Sequence, residues 1–298
     1  MVLGSGTRKE EATPIRVALG EAMTLISFAL LVGAGSFAAG LLGALTGLGG
    51  GIVLVPMLTL LFHVDLRYAI GASLVSVIAT SSGAAAAYVR DGYTNVRIGI
   101  FLEVATTIGA LVGAALAGVV STSGLAILFG AMLILSAART KSVDHPLGRP
   151  SHPWATRFRL DGAYPTPDGM AAYSVQGVPA GVALMFGAGV LSALLGIGSG
   201  AVKVLAMDGA MQLPFKVSTT TSNFMIGVTA AASAGIYLHR GYIEPAVVFP
   251  VMLGVLAGAS VGARALAGAR TEWLRTLFRL VVVALAVEMF YKGLTGGL

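Results

Sequence analysis

"GLGGGIVLVP", residues 47–56, puts four glycines in its first five positions and a proline at the end, with no charge anywhere in the stretch. Each interior glycine weakens a helix by about 1 kcal/mol and a proline by about 3, so no helix runs undisturbed through this point. The solvent around the break decides what the break is for.

The chain has 298 residues, of which 56% are hydrophobic and only 11% charged, and its mean hydropathy is +0.87. An ordinary soluble domain carries about 25% charged residues, so the composition is that of an all-α integral membrane protein. Apolar runs at 22–45, 66–89, 96–120, 122–138, 177–196, 216–238, 244–267 and 272–293 predict about eight full transmembrane helices, since each needs roughly 20 residues to cross the hydrocarbon. Two further apolar pieces, 52–62 and 200–212, directly follow glycine clusters and are too short to span unaided. They read as short or re-entrant helices.

If neither short piece crosses, Arg8, Lys9, Arg16, Arg90, Arg97, Arg139, Lys141, Arg149, Arg157, Arg159, Arg240 and Lys292 share one side. Arg67, Lys216, Arg264, Arg270, Arg275 and Arg279 then lie near the other. The positive-inside rule makes the first side the cytoplasm and puts both termini there, in a multi-pass protein of the cytoplasmic membrane. If both short pieces cross, the halves are inverted and the basic loop 139–176 lies outside. The small residues of "SFAAG" (36–40) resemble a signal-peptidase site, but the apolar run continues past them, which indicates an uncleaved first helix.

A shift of 149 residues lays "GLGGGIV" (47–53) on "GIGSGAV" (196–202), Ser73 on Ser222, "YVRDGY" (88–93) on "YLHRGY" (237–242), and Gly109 and Gly113 on Gly258 and Gly262. The chain therefore divides into a polar tail (1–20), a first transmembrane repeat (21–138), a polar proline-rich linker (139–176) and a second repeat (177–298). Pro146, Pro150, Pro153, Pro165 and Pro167 predict that the linker is loop. Many secondary transporters are built from two such repeats and bind substrate where they meet.

Non-helical backbone at membrane depth is tolerated only inside protein or beside a water-filled cavity. A helix that begins after such a break offers unpaired N–H groups and its positive dipole end, and absent side chains let an anion come close. Gly49, Gly50 and Gly51 in the first copy and Gly198, Ser199 and Gly200 in the second form a paired candidate anion cradle. By contrast, "GALVGAALAG" (109–118) and "GVLAGASVGA" (254–263) have the small-xxx-small spacing of ordinary helix packing.

Lys203, three residues after the second cluster, is the most informative charge: a cation beside a helix N-terminus calls for an anion between them. The bland alternative is a pairing with Asp208 or Glu103. "STTTSN" (218–223), over Ser73 and its neighbours in the first copy, supplies neutral donors, of which Thr221, Ser222 and Asn223 are candidate ligands; Arg264 is a further candidate on the path. Mid-membrane hydroxyls also often bond back to their own helix.

Glu103 can carry protons or pair with a base. His63, His145, His152 and His239 are scattered and indicate no metal site, and with no cysteine there is no thiolate chemistry. No cofactor is indicated. The isoelectric point near 9.8 reflects membrane orientation rather than nucleic-acid binding, because no aromatics interleave the basic residues.

"GLLGALTGLGGGIVLVPML" (40–58), "AIGASLVSV" (69–77), "LLGIGSGAVKV" (194–204) and "TTTSNF" (219–224) resemble the TauE/SafE sulfite exporter family, also called the toluene sulfonate uptake permease family. The resemblance implies a secondary transporter for sulfite, sulfoacetate or other sulfonates, with Gly47, Gly49, Gly50, Gly51 and Pro56 in the first family signature and Gly196, Gly198 and Gly200 in its second copy. Ser199, Lys203 and Leu205 depart from the first copy's pattern and leave the substrate open.

Together these features predict an anion transporter working by alternating access, with lipid around it, a small anion as partner and a homodimer compatible with the reading; the export direction is what the family resemblance implies. A passive anion channel is the alternative. No nucleophile, base and orienting group converge as an enzyme would need.

Overall fold

A computed structural model describes residues 25–46, 51–90, 92–138, 150–166, 169–266 and 271–296, nearly all in helices. The first half holds α1 (Leu25–Thr46), α2 (Gly51–Leu60), α3 (Leu66–Arg90), α4 (Val96–Leu116) and α5 (Thr122–Ala138). The linker holds α6 (Pro153–Arg157) and the strands β1 (Gly162–Thr166) and β2 (Gly169–Tyr173). The second half holds α7 (Val178–Leu195), α8 (Gly200–Leu205) continued by a π-helical turn (Ala206–Ala210), α9 (Phe215–His239), α10 (Pro245–Leu266) and α11 (Thr271–Thr295). Three described stretches, Val96–Leu116, Val178–Leu195 and Pro245–Gly262, are long and apolar enough to cross a membrane by length and composition.

Helix α4 shows how the sequence chooses its faces. Asn95 caps it by accepting the Ile98 N–H at 3.0 Å. Gly99, Leu102, Glu103, Thr106, Gly109, Ala110 and Gly113 recur at helical spacing and are buried. Ile100, Val104 and Ile108 on the opposite face are 60%, 61% and 52% exposed. Small and polar residues inward with bulky apolar residues outward reverse the pattern of a soluble amphipathic helix and suit packing against lipid.

Side-chain neighbours fix the direction of each helix. Phe62, just past α2, packs edge-on against Phe28 near the start of α1 at 6.2 Å, and Gly35 faces Met57, so α2 runs back along α1. In the second half the Gln176 N–H donates to the Met211 carbonyl at 3.1 Å, and Gly177 and Gly181 face Ala210 and Met211. Thus α8 and its π-helical turn return along α7. This corrects the expectation that the short pieces leave the chain at the far end of the helix they follow: each carries it back to the end where that helix began. A glycine break followed by a sterically open backbone permits this reversal inside the protein.

Long helices follow suit. Thr220 and Thr221 at the start of α9 bond the Tyr93 carbonyl and the Asn95 N–H beyond the end of α3, while Tyr242 beyond the end of α9 packs on Tyr68 at the start of α3. Helices α3 and α9 are therefore antiparallel. Helices α1 and α10 run parallel, as do α4 and α7, because Gly254 faces Gly33 and Gly258 faces Phe37 while Gly109 faces Phe186 and Gly113 faces Val190. Gly293 near the end of α11 lies against Ser123 at the start of α5. The halves on either side of the linker run in opposite senses. The start of α1 and the end of α11 share one end of the bundle, and the described part of the linker lies at the other, so, contrary to expectation, these helix ends are not on the linker's side.

The described part of the linker also departs from the expected featureless loop, and from a purely α architecture. β1 and β2 form an antiparallel hairpin with Pro165 opposite Met170, a position open to proline because a two-stranded ribbon has free edges. The hairpin is docked: Asn95 Nδ2 donates to the Leu160 carbonyl at 2.9 Å and the Tyr173 hydroxyl at 2.7 Å. Burial pushes the Tyr173 phenol above its ordinary range, with the Asn95 contact pulling the other way, so the hydroxyl stays protonated. Phe158 stacks at a tilt on Phe101, 5.0 Å between centroids. Ala155, Leu160 and Val175 are buried in one cluster with Ile98, Leu102, Met211 and Val217.

Candidate functional site

The second glycine break is built from left-handed backbone. Gly196, Gly198 and Ser199 have φ of +67°, +68° and +44°; the first two suit glycine, whereas Ser199 holds a conformation that side chains disfavour. The break folds onto the first half of the chain. Ser73 Oγ on α3 donates to the Gly196 carbonyl at 2.7 Å, in the buried interior. Gly51, the first residue of α2, stands at the same spot: a Cβ there would lie 3.0 Å from Ser73 Oγ and 3.1 Å from the Gly196 carbonyl oxygen. Gly198 lies between Ile226 and Val77. The two breaks, distant in sequence, therefore meet at one place.

Around this junction the structure gathers some of the residues singled out from the sequence. Ser199 is buried, and its Oγ has no hydrogen-bond partner among the described residues. The Gly200 carbonyl accepts from Ser222 Oγ at 3.3 Å. Thr221 is buried but turned to the loop before α4, where its Oγ1 accepts the Asn95 N–H at 3.1 Å. Asn223 is half-buried. Gly49 and Gly50 lie outside the described residues, as does the side chain of Arg264 on α10.

Lys203 follows one helical turn after Ser199 and is fully buried. Its Nζ donates to Thr229 Oγ1 at 2.5 Å, and that hydroxyl stands 2.7 Å from Glu103 Oε1, to which it donates. Thr107 Oγ1 reaches the same carboxylate oxygen at 3.3 Å. A lysine of the second half is thus joined to a glutamate of the first through one threonine. This is the pairing with Glu103 that the sequence offered as the bland reading of Lys203, and it leaves Glu103 Oε2 buried without a partner among the described residues. Thr229 itself escaped the sequence reading. It stands two turns after Ser222 on α9, so helical spacing from a chosen ligand was the signal that pointed to it.

Chemically, the region combines a backbone reversal, unpaired hydroxyl and carboxylate oxygens, and one internally compensated cation, all enclosed by helices. Such an arrangement has the buried cation and hydroxyl donors that a small anion would need.

The comparisons with known proteins identify the chain at family level. Residues 31–289 match the family model described as "Sulfite exporter TauE/SafE". The chain is 28% identical over 278 residues to the "Probable membrane transporter protein YunE" of Bacillus subtilis, covering 90% of this chain and 99% of that protein. It is also 28% identical over 233 residues to the "Probable membrane transporter protein YdhB" of the same organism, covering 76% of this chain and 86% of that protein. A "Probable membrane transporter protein" of Xylella fastidiosa is 24% identical over 276 residues, covering 91% of this chain and 97% of its own length. No solved structure matches the chain. With apolar helices, broken mid-bundle and joined across the two halves, and a family match over most of its length, the chain belongs to the TauE/SafE sulfite exporter family of membrane transporters.

Proposed function

We propose that the protein is a secondary transporter that exports a sulfur-containing or organic anion, such as sulfite, sulfoacetate or another sulfonate, by alternating access between two inverted repeats. The observation that carries this reading is the junction of Gly51, Ser73 and Gly196, where both glycine breaks converge in the buried interior. The repeat assignment is supported by element bounds: α3 (Leu66–Arg90) and α9 (Phe215–His239) coincide after the 149-residue shift seen in the sequence. Contacts pair by the same shift. Arg67 lies over the Tyr242 ring at 5.7 Å and Lys216 over the Tyr93 ring at 3.9 Å, and the two pairs exchange places under the shift. Inverted halves meeting at broken helices are the architecture on which rocking transporters are built.

The bundle directions support an orientation different from the one expected of the sequence. Arg90, Arg97, Arg157, Arg159 and Lys216 lie toward the linker end, against Arg67, Arg240 and Lys292 at the other. By the positive-inside rule the linker end faces the cytoplasm, and the start of α1 and the end of α11 then lie at the opposite face. Lys203 is compensated by Glu103 through Thr229, and in this reading the substrate competes for that lysine, with Ser199 and Ser222 beside it.

Calorimetric binding of sulfite, sulfoacetate, taurine, sulfate and chloride to purified protein, alongside Lys203→Ala, tests the reading. Saturable binding of one sulfur anion, weakened at least tenfold in the variant, is the expected outcome. Binding of none of them, with non-saturating flux in liposomes, favours a passive channel and overturns it.

A further inference from the structure

Glu103, Thr229 and Lys203 form a cluster whose charges balance only while no substrate is present. Helices α7 and α9 add little charge near Glu103, and Arg240, just past α9, bonds the Ala114 and Ala115 carbonyls about three turns further along α4. Helix α7 has no titratable side chain along Val178–Leu195. The titratable groups of α9 are Lys216, held over the Tyr93 ring, Tyr237, bonded to the Ala193 carbonyl, and His239 in the last turn. On α4 itself the other charge is Arg97, exposed at the helix start. Asp208, on the π-helical turn, is the other buried carboxylate near Lys203 in sequence, while the carboxylate joined to Lys203 through Thr229 is that of Glu103.

An anion arriving at Lys203 would leave two negative groups sharing one cation in a medium where unpaired charge is costly. One carboxylate oxygen is ready to relieve this. Glu103 Oε2 is buried and unpartnered among the described residues, while Oε1 holds the bonds from Thr229 and Thr107. A proton added at Oε2 neutralises the carboxylate without disturbing Oε1. The Thr229 hydroxyl has an alternative acceptor in the Met225 carbonyl at 3.1 Å, so it can release Glu103 without being orphaned.

We propose that Glu103 is a proton-binding site coupled to substrate: one proton from water on the open side adds to Glu103 Oε2 for each anion bound at Lys203, and the two cross together. This deepens, and rests on, the transporter reading above. Lys203 keeps its ammonium throughout, and the only bond made or broken at Glu103 is the O–H bond. For a monoanion the loaded cluster then has the same net charge as the empty one, so the moving step carries no extra buried charge.

The test uses methanesulfonate and benzenesulfonate, strong-acid anions that do not titrate near neutral pH, with the full chain reconstituted in liposomes. Exchange of labelled against unlabelled sulfonate measures transport, and net efflux of sulfonate down its gradient, followed with a trapped fluorescent indicator, measures the proton that moves with it. The wild-type protein is expected to carry one proton with each sulfonate, and its sulfonate affinity to fall about tenfold for each unit rise in pH. In Glu103→Gln the residual net efflux should carry no proton and the affinity should lose its pH slope. An infrared carboxylic-acid band that grows when sulfonate binds to the wild-type protein reads the same event without any variant. Net sulfonate efflux without proton movement in the wild type overturns the proposal but spares the transporter reading. Failure to exchange either sulfonate removes both.

Discussion

Ser73 and Gly196 show how much can hang on one side chain. The Gly196 carbonyl sits at a chain reversal where regular helix bonding stops, and the Ser73 hydroxyl supplies a donor at 2.7 Å. Ser73→Ala leaves that buried acceptor short of a partner, at a cost of about 1–3 kcal/mol, and should lower the unfolding midpoint in detergent by several degrees. Ser76→Ala is the control, because Ser76 Oγ donates back to Ala72 on its own helix; its midpoint should barely move. Equal shifts in the two variants would remove Ser73 from the junction. The sequence already matched Ser73 to Ser222 through the internal shift. It could not show that Ser73 reaches across to the other half's break while Ser222 bonds within its own, because the repeat relates positions and says nothing of which copies touch. Lys203 and Glu103 were each legible as costly intramembrane charges, but their link through Thr229 joins positions 126 residues apart.

At the scale of elements, glycine does the fitting. A Cβ at Gly109 would run into the Phe186 carbonyl, and one at Gly258 into the Phe37 carbonyl, in equivalent parallel contacts α4–α7 and α10–α1. Gly109→Ala and Gly258→Ala should therefore each destabilise by about 1–3 kcal/mol, the range for overpacked interiors. Gly187→Ala should be neutral or stabilising, since nothing lies within 4 Å of a Cβ there and alanine favours the helix by about 1 kcal/mol. Thermal unfolding of the three variants separates these outcomes; a Gly187→Ala loss as large as the others would contradict the packing scheme. Small-xxx-small spacing made these contacts legible in advance. The linker was not: its prolines read as breakers, yet the edge of a two-stranded ribbon accepts Pro165, and the docking of Tyr173 on Asn95 depends on a residue 78 positions away.

The whole molecule turns on the sense of the two halves. Hydropathy located the long helices and flagged the two short ones, and both readings of the short pieces were open from sequence. Length alone cannot say whether a short piece returns, because that depends on which neighbours it finds. The contacts of Phe62 with Phe28 and of Met211 with Gln176 show both pieces running back, which inverts one half against the other and lets the glycine breaks meet. The natural chain contains no cysteine, so single cysteines report directly on this arrangement. The most direct measurement is labelling of Met170→Cys, Phe215→Cys and Leu294→Cys, all at exposed positions, by a membrane-impermeant thiol reagent applied to intact cells and to inverted vesicles. Inverted halves predict that Met170→Cys and Phe215→Cys label from the same side and Leu294→Cys from the other. Labelling of Met170→Cys together with Leu294→Cys, and of Phe215→Cys from the opposite side, would contradict the account.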